Sequence, residues 1–350
     1  MSSINRAPSC CDDEPETGTL KVEDARQKIL AEIEPITASE KLTLRNALGR
    51  VLAEDIISPI SVPGHTNSAM DGYALAGIGL PQGSDRIYNV IGKSLAGAPF
   101  NGSCDTGQCV RIMTGAVMPP GTDTVVMQEH VERLDPDSIR IDDRHHAGQN
   151  VRQAGEDIAA GGTVLHSSHT LTPADIGVLS SLGIGEVRVR RRPRVAFFST
   201  GDELRSIGEP LAQGDVYDSN RYSLYGMLKR LSVELLDMGV VRDNAEDLRK
   251  AFSEAASMAD VVITSGGVSV GEADYIKPIL EETGEIHFWK IAMKPGRPLT
   301  HGRIGNSLFF GLPGNPVAVM VTFYQFVQPA LEFLASSRIK QQLTMMASCS

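Results

Sequence analysis

The sequence predicts an α/β protein, in which a doubly wound and mostly parallel sheet follows an elongated helical and β-stranded region with an inserted small β-rich module. Beyond residue 194, short apolar and β-branched runs alternate with helix-like segments, as expected for βαβ units. Residues 58–158 hold short β-prone pieces separated by Gly, Pro, Asn and Asp clusters, which is typical of an all-β or barrel-like module. Ahead of that module, apolar residues recur at helical spacing.

The first elements are assigned from local patterns. Residues 1–20 lack periodicity and are expected to be a disordered tail. An amphipathic helix is predicted over 22–34, where Pro35 ends it. A second short helix that ends in an extended exit is predicted over 47–57. The elements that follow the β-rich module are a strand at 163–166, a helix at 173–182 and a basic, proline-bearing connector at 188–194.

The second half alternates strands and helices. Its predicted strands are 195–198, 233–241, 261–263 and 286–291, with further extended pieces at 299–300 and 307–312. Its predicted helices are 220–231, 245–256, one that begins close to Pro278, and a long apolar helix with Asn315 as N-cap and Pro316 in its first turn. This alternation predicts the doubly wound sheet.

Composition places the chain among globular proteins. It has 350 residues, 41% hydrophobic and 22% charged, enough for two or three domains with cores of their own. A formal net charge of -10 argues against nonspecific nucleic-acid binding. The N-terminus lacks a basic start followed by an apolar core, and the most apolar segment, 317–334, contains Gln325, Gln328 and Glu332. We therefore expect a cytoplasmic protein that binds neither nucleic acid nor a membrane.

The cysteines and histidines exclude two common kinds of site. The five cysteines are odd in number and lack CxxC pairs, and the eight histidines lack HExxH spacing. Neither a disulfide framework nor a zinc site is therefore expected.

Ligands of an open α/β sheet bind outside the carboxyl ends of its strands. In this chain the predicted strands are followed by loops that carry an acid, a base or a glycine-rich anion site. These loops are 199–203, 242–243, 264–275, 294–298 and 311–316. Five such loops on one edge are hard to explain as solvated turns, and they predict an anion site there.

The loop TSGGVSVGEADY, residues 264–275, defines the chemistry of that site. Its glycines and hydroxyl residues expose backbone N–H groups that can approach an anion closely. Carboxylates beside an anion, here Glu272 and Asp274, suggest a bridging divalent metal such as hydrated Mg²⁺. Lys294 and Arg297 suit a phosphate or another oxyanion.

The acidic residues of these loops also have a purely structural interpretation. Asp274 fits the N-cap of the next helix, and Glu203 and Asp243 fit helix starts that interact with the macrodipole. In the first half, the segments 67–74, 111–116 and 155–157 fit turns as well as they fit sites.

Seven segments occur in the order seen in the molybdopterin molybdenumtransferase (MoeA) family, which is related to the E domain of gephyrin. They are NSAMDGYA (67–74), RIMTGA (111–116), GEDI (155–158), FSTGDEL (198–204), SGGVSVGEADY (265–275), KPGRP (294–298) and GLPGNP (311–316). The resemblance extends over residues 22–334. It implies an enzyme of molybdenum cofactor synthesis that inserts molybdate into adenylylated molybdopterin and releases AMP, with Mg²⁺ assisting.

The resemblance also implies roles for particular residues. Those implied as catalytic are Glu203, Asp243, Asp274, Lys290, Lys294, Asp71, Thr114 and Asp157, with Asp243 and Asp274 as metal ligands. Those implied to bind the pterin or its phosphate are Ser265, Gly266, Gly267, Ser269, Gly271, Arg297, Pro313, Gly314, Asn315 and Pro316. In the family the β-rich module of one subunit faces the α/β domain of the other, so a homodimer is expected. The adenylylating enzyme of the same pathway is a further expected partner.

The resemblance sets the expected domains. They are a tail at 1–20, an elongated domain at 21–57 and 159–190, the inserted β-rich module at 58–158, a molybdopterin-binding α/β domain at 191–335 and a short tail at 336–350. Family members continue into a small β-rich C-terminal domain, which this chain is expected to lack. Two alternatives stay open: a non-catalytic pterin-binding or scaffold protein, and a molybdopterin adenylyltransferase, which uses a similar glycine-rich loop.

Overall fold

The structure is a computed structural model that describes residues 19–266 and 276–336. The chain divides into two compact units. Unit 1 comprises Met1–Glu54, Ser168–Ile176 and Glu186–Ser350, and unit 2 comprises Asp55–Ser167 and Gly177–Gly185. The region expected to form one elongated domain, 21–57 and 159–190, is thus shared between the two units.

The elements follow in chain order. The strands are β1 (Ser39–Thr43), β2 (Ile56–Ile57), β3 (Asn67–Ser68), β4 (Gly72–Leu75), β5 (Arg86–Ser94), β6 (Gln108–Ile112), β7 (Thr124–Met127), β8 (Val131–Asp135), β9 (Ser138–Ile141), β10 (Val151–Arg152), β11 (Thr163–Leu165), β12 (Glu186–Arg190), β13 (Arg194–Thr200), β14 (Leu204–Arg205), β15 (Val216–Tyr217), β16 (Glu234–Val241), β17 (Val261–Ser265), β18 (Gly284–Lys290), β19 (Pro298–Ile304) and β20 (Ser307–Leu312). The α-helices are α1 (Val22–Ala31), α2 (Pro173–Ser181), α3 (Ser219–Lys229), α4 (Ala245–Met258), α5 (Ile276–Thr283), α6 (Pro316–Thr322) and α7 (Gln328–Ser336).

Unit 1 is built on a six-stranded sheet with the order β16-β13-β17-β20-β19-β18. The first four strands are parallel neighbours. β19 is antiparallel to both β20 and β18, so β18 again runs in the direction of the parallel strands. The central strands are buried apolar runs, as strands covered on both faces must be.

Helices cover both faces of this sheet. One core contains Phe197, Ile263 and Phe310 together with buried residues of α1, α3, α6 and α7. Phe198, Val262 and Phe309 point to the other face, where buried residues of α4 and α5 meet them. Successive strand residues alternate between the two cores because strand side chains alternate faces. The doubly wound, mostly parallel sheet predicted from the sequence is confirmed.

Side chains cap the N-termini of α3 and α4. The carboxylate of Asp218 accepts a hydrogen bond from the Arg221 N–H at the start of α3. At the start of α4, Asn244 accepts from the Asp247 N–H. Both caps satisfy backbone donors that the first helical turn leaves without a partner.

The apolar C-terminal helix packs into the core. α6 and α7 are joined by a π-helical segment, Phe323–Val327, and Asn315 accepts from two N–H groups at the start of α6. Among the described residues, the stretch Pro316–Ser336 is long and apolar enough to cross a membrane, but 56% of its most apolar part is buried inside the protein. Its buried side chains belong to the core of unit 1, as the sequence predicts.

Unit 2 contains a second six-stranded sheet with the order β7-β4-β6-β5-β9-β8. Only β5 and β6 are parallel within it. Tyr73, Tyr88 and Val126 lie in its core with Cys109, where burial raises the pKa of the Cys109 thiol to about 12. Cys104 is also a buried free thiol. The order is that of an open sheet and not of the barrel that was one of the two expectations.

The structure corrects two local predictions. Residues 47–57 do not form a helix: a 3-10 helix, Leu44–Ala47, is followed by Gly49 at φ +73°, after which Leu52 is fully buried and bridges Val189. A left-handed residue interrupts an α-helix, and tertiary pairing then determines the path of the chain. The predicted connector 188–194 contains instead the second half of β12, which pairs with β1 because Val187 and Val189 are buried.

Candidate active site

The carboxyl ends of five strands lie along one edge of the unit 1 sheet. Paired residues show that these ends are level, since Thr200 pairs with Val241, Ser265 with Leu312, and Lys290 with Pro298. With neighbouring strands about 4.8 Å apart, the edge is about 24 Å wide from β16 to β18. The loops predicted to bind an anion therefore share one edge, but they are distributed along its whole width.

Carboxylates gather at the β16 end of this edge. Asp202 and Glu203 follow β13, and Asp243 follows β16. The Asp243 N–H donates to Asp202 Oδ1 at 3.2 Å, which ties the two loops together. A Cβ atom built on Gly201, whose φ is +149°, would lie 2.7 Å from Glu203 Oε1, so glycine leaves the space that this carboxylate occupies. We call Asp202, Glu203 and Asp243 the acidic corner.

The switch point of the sheet lies between β13 and β17. The chain leaves β13 through α3 toward β16 and returns through α4 to β17, on opposite faces of the sheet. A Cβ atom on Gly266 (φ +87°) would lie 2.5 Å from the Thr200 carbonyl oxygen, so only glycine allows this approach of two backbones. One position earlier, the buried hydroxyls of Ser199 and Ser265 are 2.9 Å apart.

Several predicted site residues cannot be placed. Gly267, Ser269, Gly271, Glu272 and Asp274 lie outside the described residues. Of the glycine-rich loop, Ser265 and Gly266 are placed, at the carboxyl end of β17.

Beside the switch point, residues 313–316 form the proline loop between β20 and α6. Asn220 Nδ2 donates to the Gly314 carbonyl at 2.8 Å, which attaches the loop to the start of α3. Asn315 caps α6, and Pro316 occupies its first turn, as predicted. The loop backbone is thus fixed by two different helices.

Cations gather at the β18 end of the edge, in residues 290–298, here called the lysine loop. Lys290, Lys294 and Arg297 are exposed, while Gly296 is buried. The Ile291 N–H donates to the Arg297 carbonyl at 2.7 Å, so the loop closes on itself. Positive charge is therefore held by a defined backbone at the end of the edge opposite to the acidic corner.

Buried polar atoms without a hydrogen-bond partner in the described residues identify individual side chains that the sequence does not single out. They include Thr200 Oγ1, Thr264 Oγ1, Asp218 Oδ2 and Asn220 Oδ1, which all lie at or near the carboxyl edge. Unpartnered buried polar groups are rare and costly, and their clustering marks the edge as a functional region. The local sequence pattern does not point to Asp218 or Asn220 as site residues, since the bond of Asn220 to Gly314 depends on tertiary structure.

The predicted residues of unit 2 also meet one another. Asp71 Oδ1 accepts from the backbone N–H and the hydroxyl of Thr114, both at 2.8 Å. These two bonds, the backbone one foremost, hold the pKa of Asp71 below its ordinary value. Backbone bonds of Ser68 with Gly115 and Ala116 join the segments that carry the two residues.

Asp157 has a cationic partner in the same unit. Arg152 contacts Asp157 at 2.5 Å and Glu156 at 3.7 Å. Arg152 pairs with Asn67 in the β10–β3 ladder, which brings the GEDI segment to the strand that leads toward Asp71. Three of the seven motif segments therefore converge within unit 2.

The acidic corner fits a magnesium ion by its donor set. Within the described residues no group of three His, Cys, Asp or Glu side chains could hold a metal by itself. Mg²⁺ does not require such a group, since it keeps several waters and binds one or two carboxylates plus substrate phosphates. Asp243 and Glu203, on the loops that follow β16 and β13, offer oxygen donors of this kind.

Family models match both parts of the chain. The MoeA N-terminal region (domain I and II) matches residues 20–183, and a probable molybdopterin binding domain matches residues 196–332. The second range covers the doubly wound sheet together with both charged ends of its edge.

Curated relatives and solved structures agree with these matches. The chain is 47% identical to a molybdopterin molybdenumtransferase of Haemophilus influenzae over 91% of its own length and 78% of the relative's. It is 40% identical to one of Nostoc sp., over 85% and 69%. A molybdopterin biosynthesis MoeA protein of Pyrococcus horikoshii superposes with a TM-score of 0.80 at 30% identity, covering 91% of this chain and 79% of that one. The chain is accordingly an enzyme of the molybdopterin molybdenumtransferase family, and it acts in molybdenum cofactor biosynthesis.

Proposed function

We propose that this chain inserts molybdate into adenylylated molybdopterin and releases AMP, assisted by Mg²⁺. The observation that carries the proposal is the charge arrangement of the sheet edge, with carboxylates at one end, cations at the other and glycine-rich backbone between them. The substrate also presents two separate anionic groups, because a phosphate link carries the nucleotide and a sulfur pair of the pterin accepts the oxyanion. An extended ligand of this kind fits an edge about 24 Å wide.

The acidic corner is the proposed site of the departing phosphate. Asp243, with Asp274 and Glu203, would hold Mg²⁺, and a bound Mg²⁺ would supply positive charge that stabilises the departing phosphate. The bond between Asp243 and Asp202 supports this role, since it fixes the loop after β16 against the loop after β13. No protein nucleophile is needed, because a water oxygen can attack the phosphorus as the P–O bond of the phosphate link breaks and AMP leaves. Positioning and charge stabilisation would supply most of the rate.

The lysine loop is the proposed molybdate site. Lys290 and Lys294 are point charges suited to an oxyanion, and Arg297 adds a planar donor fork. Their distance from the acidic corner along the edge separates the binding of the oxyanion from the release of the phosphate. In the space between, Ser265, Gly266 and the proline loop (Pro313, Gly314, Asn315, Pro316) would contact the pterin and its phosphate through backbone groups.

The residues of unit 2 are proposed to complete the site of a second subunit. Asp71 is held ionised by Thr114, and Asp157 is held by Arg152, so both carboxylates are ordered before any substrate binds. We propose a cytoplasmic homodimer in which these residues face the α/β sheet of the partner. The enzyme that adenylylates molybdopterin would supply the substrate.

A reconstitution experiment tests the reaction. Purified protein is incubated with adenylylated molybdopterin, molybdate and Mg²⁺, AMP is quantified by chromatography, and the product is offered to a molybdenum-free apoenzyme. We expect AMP release and activation of the apoenzyme that both depend on molybdate. Asp243→Asn should reduce AMP release by about 100-fold or more, whereas Glu246→Gln, an exposed change in the first turn of α4, should not reduce it.

Two results would contradict the proposal. Tight pterin binding without AMP release would indicate a non-catalytic binding protein. Formation of adenylylated pterin from ATP and molybdopterin would indicate an adenylyltransferase. A mass measurement of the native assembly tests the homodimer separately.

A further inference from the structure

The backbone conformation of the lysine loop depends on a contact outside the loop. It leaves β18 at Lys290 and enters β19 at Pro298, and the bond between Ile291 and Arg297 closes its base. Two of its three cations, Lys294 and Arg297, lie on either side of Gly296 and are exposed, whereas Gly296 is buried. The direction of these cations therefore depends on where the backbone at Gly296 is seated.

Gly296 is seated against the end of α6. A Cβ atom built there would lie 2.9 Å from Thr322 Oγ1 and 2.5 Å from Met293 Cε, and the φ of Gly296 is +100°. The methionine terminus is flexible and can move away. Thr322 cannot do so easily, because it is fully buried and its β-branched side chain is stiff.

Hydrogen bonding does not explain why residue 322 is a threonine. Its Oγ1 is buried and makes no hydrogen bond within the described residues. It is the last residue of α6, directly before the π-helical segment Phe323–Val327, and such local bulges occur often at functional sites. The Thr322 side chain instead packs closely against the backbone of Gly296.

We propose that Gly296 and Thr322 are positioning residues, whose contact fixes the path of the lysine loop and thereby directs Lys294 and Arg297 toward the oxyanion. The proposal rests on the function given above, because it assigns molybdate to this loop. Neither residue needs to touch a substrate. Their effect is transmitted through the backbone that connects Gly296 to its two charged neighbours.

Steady-state kinetics of paired variants tests the contact. Gly296→Ala should raise the KM for molybdate about tenfold, while the KM for adenylylated molybdopterin changes little. Thr322→Ala removes the Oγ1 atom that the methyl group added at position 296 would meet. The double variant Gly296→Ala/Thr322→Ala should therefore recover a clear part of the lost molybdate affinity. Gly305→Ala is the matched control, since Gly305 also has a positive φ (+58°) but nothing within 4 Å of its added Cβ, and it should behave like wild type.

A second measurement does not depend on catalysis. Hydrogen–deuterium exchange of the Ile291 N–H, which bonds to Arg297, should be faster in Thr322→Ala than in wild type and unchanged in Gly305→Ala. If the wild-type protein releases no AMP, the proposed function fails, yet this exchange result still decides whether Thr322 holds the loop. Equal molybdate KM values for Gly296→Ala and the double variant, or unchanged exchange in Thr322→Ala, would overturn the proposal.

Discussion

The carboxylate of Glu203 folds back over the backbone of Gly201. A Cβ atom at position 201 would lie 2.7 Å from Oε1 and 2.8 Å from Oε2 of that carboxylate. The glycine therefore does more than permit the φ of +149°, because its missing side chain is the space in which the acid rests.

Gly201→Ala should accordingly move the Glu203 carboxylate out of the acidic corner. We expect the single-turnover rate constant for AMP release to fall about tenfold. Gly208→Ala is a suitable control, since Gly208 belongs to the same loop region and has a φ of +93°, but no atom lies within 4 Å of its added Cβ. An equal loss of activity in Gly201→Ala and Gly208→Ala would show that backbone strain, and not the position of Glu203, causes the loss.

The bond from Asn220 to the Gly314 carbonyl yields a second prediction. Asn220→Asp replaces a donor with an acceptor that faces a carbonyl oxygen, so the proline loop should separate from α3. We expect the free energy of unfolding to fall by about 1–3 kcal/mol and the KM for adenylylated molybdopterin to rise. Asn306→Asp introduces the same charge at an exposed turn between β19 and β20 and should change neither quantity.

The sequence predicted the central sheet well because its strands are buried on both faces. The cores of two of these strands, residues 261–263 and 308–310, are continuous and apolar, and such runs favour a strand that is covered on both faces. The carboxyl-end rule then placed the acidic and basic loops on one edge without any knowledge of distances. What it could not provide is the width of that edge, which follows from the strand order.

Other features depend on contacts between distant residues. Asn220 and Gly314 are 94 positions apart. The contact between Gly296 and Thr322 joins the lysine loop to the end of α6, and the local pattern of neither segment points to the other. The predicted helix within 47–57 was wrong because Gly49 and the buried Leu52 outweigh local propensity. The predicted tail 1–20 includes Leu20, whose apolar neighbours and backbone partners lie in unit 1.

Leu20 leads to a third prediction, on the lysine loop. Its N–H donates to the Lys290 carbonyl and its carbonyl accepts from Ala292, both at 2.8 Å. Leu20→Pro removes the donor, so the amide of Ala292 should exchange faster and the KM for molybdate should rise a few fold. Lys21→Pro is the control, because Lys21 has a φ of −66° that proline adopts without strain. Slow exchange of Ala292 in both variants would show that the pairing with Leu20 does not order the loop.

Asp71 provides a prediction on pH. Its folded pKa lies below the ordinary value of about 3.9 because it accepts from the Thr114 N–H and then from the Thr114 hydroxyl. Thr114→Val removes only the hydroxyl, so the pKa should rise part of the way toward the ordinary value. Carboxyl ¹³C NMR with pH titration measures it, and Thr122→Val, whose hydroxyl bonds to Pro119, should leave the Asp71 titration unchanged. An unshifted Asp71 in Thr114→Val would mean that the hydroxyl bond is not made in solution.

The acid stability of unit 1 should depend on Glu32. The fully buried ring of His301 lies 3.2 Å from Glu32 Oε2, and this hydrogen bond is the main reason that the pKa of Glu32 is lowered. A lowered folded pKa adds stability above the ordinary value of about 4.3, and the stability is lost as the pH falls through the folded pKa. Glu32→Gln should therefore unfold at lower urea than wild type at pH 7, with the difference shrinking toward pH 3. Glu34→Gln, at an exposed position two residues away, should follow the wild-type curve at every pH. If the difference in urea stability between Glu32→Gln and wild type is the same at every pH, packing and not charge couples α1 to His301.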